Sequence, residues 1–252
     1  MKRLYLISLI LLTLLGAGCG ADSPDCFKAS GDLERVTLEV SEFSRITVFE
    51  NIQLVVKHGS RQEVILETGK NLRAGVTAEV VDGILELRDA NSCNFFRSYG
   101  KTIFYVTTPD LEAIRSSTGW PIRSEGVLPF DTLSLTSESF NNQETNTNDG
   151  SFDLDLEVNR LTVVSNGIAY FKLRGQASQF LVTIASGDSK VDARELLSET
   201  VRVNHRGSND ISVSPIMRIS GIINGYGDVL SFERPPEVDV EETFRGRLIF
   251  MD

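Results

Sequence analysis

Apolar and polar residues alternate with a period of two along most of this chain, which is the signature of half-buried strands. Val36-Thr37-Leu38-Glu39-Val40, Ile46-Thr47-Val48 and Ile52-Gln53-Leu54 open the pattern. Val64-Ile65-Leu66, Ile84-Leu85-Glu86-Leu87 and Ile103-Phe104-Tyr105-Val106 continue it. Asp82-Gly83, between two apolar runs, predicts a hairpin because both residues tolerate positive φ. No segment has a convincing helical period. Arg194 to Thr200 has some helical propensity, and a turn explains it equally well.

After Pro109 the strands read as short and their ends carry Gly, Asn, Asp and Ser. Gly167, Gly187, Gly207 and Gly227 recur at equal spacing. Each follows an apolar strand, such as Leu161-Thr162-Val163-Val164 or Phe180-Leu181-Val182-Thr183-Ile184. Leu111 to Gly119 and Leu133 to Ser139 look like two earlier copies. A unit of strand, Gly turn, strand and return loop cannot bury its apolar face alone, so stacked units are required. The pattern predicts an all-β fold, a parallel β-helix or solenoid of about 20-residue rungs. The alternative is a β-sandwich of hairpins. Residues 141–150 are polar throughout and read as an insertion, either a binding loop or a tolerated floppy one.

The first residues change the expected compartment. Lys2 and Arg3 precede an apolar run from Leu4 to Leu15, then Gly16, Ala17, Gly18 and Cys19. This is the layout of a secretory signal, and its apolar part is short for a membrane span of about 20 residues. Small residues before a Cys resemble a bacterial lipobox, which implies acylation of Cys19 and loss of residues 1–18. The other reading is a plain signal peptide with a chance Cys. Residues 19–32 then form a tether from lipid to domain. Residues 33–252 form one domain, with N-terminal strands over 33–108 and Gly-turn rungs over 109–252. Gly20 after the Cys leans toward the outer membrane over the inner. The expected location is therefore the cell envelope, as an outer-membrane lipoprotein facing the periplasm or the cell surface.

Outside the cytosol disulfides persist, and Cys26 and Cys93 are the remaining pair. A bridge between them would contribute about 4 kcal/mol in the chain-entropy model. Two free thiols are the alternative. Composition narrows the partners further. Lys+Arg 25 against Asp+Glu 35 gives a net charge of −10, which argues against nucleic acid.

Candidate chemistry is sparse. His58 and His205 are the two histidines, and both sit in turns and read as surface residues. No catalytic motif, metal set or cofactor signature is present. Asp153 and Asp155 point the same way on one strand, but the i, i+2 spacing of about 6.5–7 Å exceeds the 5–5.5 Å of a retaining glycosidase. Asp188 and Asp228 recur at turns, where Asp commonly bonds nearby backbone. Trp120, Tyr170 and Tyr226 each lie close after a turn Gly. Exposed, they could stack on sugar faces; buried, they fill corners of the fold.

Several segments together resemble the head GIN domain family of auto-transporter adhesins. They are Asp25-Cys26-Phe27-Lys28, Phe49 to Leu54, Asn91 to Tyr99, Thr107-Thr108-Pro109-Asp110-Leu111 and Gly225-Tyr226-Gly227-Asp228-Val229. The resemblance implies a right-handed parallel β-helix with N-terminal strands covering one end. The family's Ser-Gly-x-Gly turns are degraded here, as in Ser165-Asn166-Gly167, and the 141–150 insert lies outside its pattern. The expected function is a non-catalytic, lipid-anchored envelope protein that binds or adheres, with a glycan or protein as ligand. The alternative is a carbohydrate-active enzyme using Asp153 and Asp155.

Overall fold

The computed structural model describes residues 28–91, 102–141 and 144–251. The leader, Cys19, Cys26 and Cys93 lie outside the described residues. The N-terminal strands are β1 (Leu33–Leu38), β2 (Arg45–Val48), β3 (Ile52–His58), β4 (Glu63–Gly69), β5 (Val76–Val81), β6 (Ile84–Asp89) and β7 (Thr102–Thr108). Then come β8 (Ala113–Ser116), β9 (Pro121–Leu128) and β10 (Thr132–Ser137). Four long strands follow: β11 (Ser151–Ser165), β12 (Tyr170–Ile184), β13 (Lys190–His205) and β14 (Ile211–Ile223). The chain closes with β15 (Val229–Ser231), β16 (Glu237–Glu242) and β17 (Leu248–Phe250). One turn of 3-10 helix, Arg73–Gly75, precedes β5.

All 17 strands join one sheet, so the all-β expectation holds. The expected parallel β-helix solenoid does not. The sheet is mixed, nearly closed and barrel-like. Pairs β1–β4, β4–β7 and β5–β6 are antiparallel. A coil of uniform rungs would return every strand in the same direction. Here Asp82 (φ 51) and Gly83 (φ 73) instead close the tight β5–β6 hairpin, which reverses the chain. The β-sandwich alternative would need two separate sheets, whereas β11 to β14 run unbroken through both rows described next.

One row runs β5–β6–β2–β8–β10, then the second halves of β11 to β14, then β16. The other runs β1–β4–β7–β3–β9, then the first halves of β11 to β14, then β15 and β17. The segments expected as return loops are paired strand. Gly175, Gln176 and Ala177 sit in ladder with Leu156, Glu157 and Val158. Arg194 to Thr200 is neither helix nor turn; it is the middle of β13.

Alternation places the core. In β11, Phe152, Leu154, Leu156 and Val158 are buried; Asn159 and Arg160 are both exposed; then Leu161 and Val163 are buried. Two exposed residues in succession shift the phase, so the strand bends there and both halves face one core. Leu133, Leu161, Phe180, Val201 and Ile219 form one buried column across paired strands. Phe152 and Phe171 stack at 4.8 Å between ring centroids. Each such side chain contributes about 1.5–3 kcal/mol by burial.

Candidate functional site

Successive turns before the starts of β9, β11, β12, β13, β14, β15 and β17 lie against one another along one edge of the sheet. Backbone hydrogen bonds join them. The N–H of Asp188 donates to Gly167 O (2.8 Å), that of Ser208 to Gly187 O (2.9 Å), and that of Tyr226 to Gly207 O (3.0 Å). Ile168 N–H donates to Asn148 O (3.0 Å), and Gly246 N–H to Gly225 O (3.0 Å). This approach explains the Gly spacing. At Gly187, φ is +82°, and a Cβ would collide with the Gly167 carbonyl oxygen.

The turn aspartates serve the neighbouring turn, not their own. The N–H of Asp228 donates to Asp210 Oδ1 (2.9 Å), and that of Arg247 to Asp228 Oδ1 (2.7 Å). Ser208 Oγ donates to Asp188 Oδ1 (2.7 Å). Among the described residues no cluster of three or more His, Cys, Asp or Glu could hold a metal.

This rigid edge carries apolar and aromatic side chains in solvent. Tyr226 is 60% exposed, Ile168 61% and Phe140 71%. Tyr170 and Phe244 are also exposed, and Trp120 is half-buried. Tyr226 packs edge-on against Phe244, 5.0 Å between centroids, with the Arg245 guanidinium 5.5 Å from the Tyr226 ring centre. Pro121 pairs with Ser151 and Ser151 with Tyr170, so the strand that Trp120 precedes begins two strand spacings, about 10 Å, from Tyr170. Tyr226 lies three turns beyond Tyr170, roughly 14 Å by the same spacing. The three sequence candidates thus share one edge at separate stations. Phe140, Ile168 and Phe244 complete it; Ile168 follows a turn Gly directly, a signal the sequence offers.

A charged field adjoins Tyr170 on the outer face of β11 to β13. Arg174 bridges Asp153 and Asp155, at 2.6 Å to each. Hydrogen bonds to these carboxylates raise the guanidinium pKa further. A glycosidase pair needs one free carboxylate and one carboxylic acid; here one cation occupies both. Arg194 pairs with Asp192 at 2.7 Å. Burial first, and then the Asp192 carboxylate, raise the Tyr170 phenol above its ordinary value.

The 138–150 segment is packed, not floppy, where it is described. Glu138 is 2% exposed and accepts from Arg115 Nη1 (2.7 Å) and from the N–H groups of Phe140 (2.6 Å) and Asn141 (3.2 Å). Burial alone would raise its carboxyl, but these donors outweigh it and hold the pKa below the usual range. Thr145 is buried, and Thr147 N–H donates to Ser117 Oγ (3.3 Å). Arg88 reaches Glu144 (2.8 Å) and lies 3.5 Å from the Phe49 ring centre. Phe140 is therefore held at a defined place on the edge.

His205 corrects another expectation. It is fully buried, because it continues the inward alternation Val201, Val203. Neither ring nitrogen has a hydrogen-bond partner within normal geometry. Burial lowers its pKa, against the opposing pull first of the nearby Asn209 backbone and then of Asp210 and Asp228. His58 lies at the end of β3 with its ring 6.1 Å edge-on from Phe130.

Comparison with known proteins follows the same lines. A family model described as "Putative auto-transporter adhesin, head GIN domain" matches residues 42–235. No curated protein matches the chain. Among solved structures, a putative adhesin from Bacteroides fragilis superposes with a TM-score of 0.77 at 20% identity, covering 87% of this chain and 97% of that one. A putative adhesin from Parabacteroides merdae gives 0.58 at 15% identity, covering 88% and 97%. A putative lipid binding protein from Parabacteroides distasonis gives 0.59 at 14% identity, covering 88% and 98%. At these identities the likeness is one of fold.

Proposed function

We propose, from the premise that this chain belongs to the head GIN domain family of auto-transporter adhesins, that it is a non-catalytic envelope lipoprotein which binds a glycan or protein ligand along its turn edge. The observation that carries the reading is the line of exposed Tyr170, Tyr226, Ile168, Phe140 and Phe244, with half-buried Trp120 beside them, along stacked turns. Aromatic faces supply area at low entropic cost when their backbone is already fixed. Exposed apolar residues gathered on one edge mark interaction sites on soluble domains. The ion-paired state of Asp153 and Asp155 supports binding over glycoside hydrolysis.

Anchoring is proposed through acylated Cys19, with residues 20–32 as the spacer. More than one acyl chain would be needed to hold the domain stably at the membrane. An outer-membrane location is proposed on Gly20, which follows the acylated Cys19.

Two experiments test this reading. Cells carrying the full chain are labelled with radioactive palmitate; label enters the wild type and is lost in Cys19→Ala. Cells displaying Tyr170→Ala/Tyr226→Ala adhere less than wild type to surfaces coated with glycans or host matrix proteins. Equal adherence at equal surface abundance would remove the turn edge from the account.

A further inference from the structure

The far end of the sheet presents a second surface, separate from the turn edge. β16 pairs with β14 along 218–223 and with no other strand among the described residues. β17 pairs likewise with β15 alone. Among the described residues each therefore has one unpaired backbone edge, a template for another strand.

The side chains on β16 define what strand could pair there. Val240 leans onto the core, and its face-mate Val238 is exposed. Glu237, Asp239 and Glu241 fall on the opposite, outer face. Arg218 reaches Glu237 (3.1 Å) and Asp239 (3.0 Å), a single cation against three carboxylates of that row among the described residues. Glu242 beside them takes Arg247 at 3.6 Å. The outer row thus keeps an excess of negative charge. A second copy pairing through its own β16 would set carboxylates opposite carboxylates, which is destabilising. A strand with cations at every second position would set opposite charges across each outer pair. Its intervening apolar residues would cover Val238 and Val240.

We propose that the β16 edge accepts, by strand addition, an extended segment of a partner protein in which Lys or Arg alternates with β-branched residues. Main-chain hydrogen bonds provide the affinity of such a complex, and the alternate side chains provide its selectivity.

The test uses a synthetic peptide of sequence Thr-Lys-Val-Lys-Val-Lys-Thr, titrated into the full chain by calorimetry. Saturable one-to-one binding is expected. The variant Glu237→Gln/Asp239→Asn/Glu241→Gln should bind about tenfold more weakly, from the loss of three cross-strand charge pairs. These residues are exposed, so the variant keeps the wild-type melting curve. The same peptide N-methylated at alternate residues keeps its charge but cannot complete the ladder, and should not bind. Absent binding, equal binding of the methylated peptide, or indifference to the triple variant would overturn the proposal. So would self-association of the chain through this edge, read by sedimentation, in place of peptide binding.

Discussion

Single side chains here report on their surroundings through acid and strain. His205 lies in the core, where burial lowers its folded pKa. The unfolded chain therefore binds more protons, and stability rises with pH through that window. Acidification below about 6.5, the ordinary imidazole value, should weaken the fold. His205→Leu should flatten the dependence between pH 7 and 5 in chemical denaturation. An unchanged slope would place the titration elsewhere. Glu138 acts in a lower window. Its folded pKa is depressed, so its contribution is present above the usual carboxyl range and fades as pH falls through the folded value. Gly221 is a third reporter. Its φ is +127°, and a Cβ there would strike the Val203 carbonyl oxygen. Gly221→Ala should cost about 2–4 kcal/mol, from positive-φ strain and backbone displacement together. Midpoint shifts in urea at constant slope would measure it.

Among the elements, the long strands β11 to β14 carry the architecture and the turns carry the chemistry. Phe171 stacks on Phe152 in the buried core, and Phe171→Ala should cost about 3–5 kcal/mol. Glu138→Ala strands Arg115 and frees two backbone donors; the expected loss is about 2–3 kcal/mol, reduced because Arg115 is partly exposed. The more specific sign is local: proteolysis between 141 and 150 should quicken before global unfolding does. Equal cleavage of wild type and variant would mean that the carboxylate does not pin the segment. Much at this level was legible beforehand. The alternation of Ile46 to Val48 and Ile103 to Val106 marked strands, and Asp82-Gly83 marked its hairpin. The Gly spacing marked a stack of turns, but not that 174–179 and 194–199 extend as strand between them. Polar residues in those stretches imitate loops, because the bend exposes both faces in turn. Glu138 gave no signal, since its meaning depends on Arg115, 23 positions away in sequence.

For the whole molecule, the correction concerns closure. Period and Gly placement describe how consecutive strands lie beside each other from β8 onward, where all pairings are parallel. They say nothing of β4, which turns back between β1 and β7 and makes the sheet mixed. Such pairing joins segments far apart in sequence, beyond the reach of a local pattern. The same limit hid the functional edge. Trp120, Tyr170 and Tyr226 were each visible as residues after a turn Gly, yet their companions Phe140 and Phe244 emerged only once the turns were stacked. The acidic β16 edge likewise needed the knowledge that, among the described residues, β16 pairs with β14 alone.

The turn edge is the central claim, and the chain supplies its own probe, since Trp120 is the single tryptophan. Its emission can be followed while a panel of oligosaccharides and matrix-protein fragments is titrated in. The account predicts a saturable spectral change with at least one ligand. It also predicts an affinity about tenfold lower in Tyr170→Ala/Tyr226→Ala, from the loss of two stacking contacts of about 0.5–1.5 kcal/mol each. A ligand bound equally well by wild type and double variant, or an emission that answers to none of the panel, would contradict it.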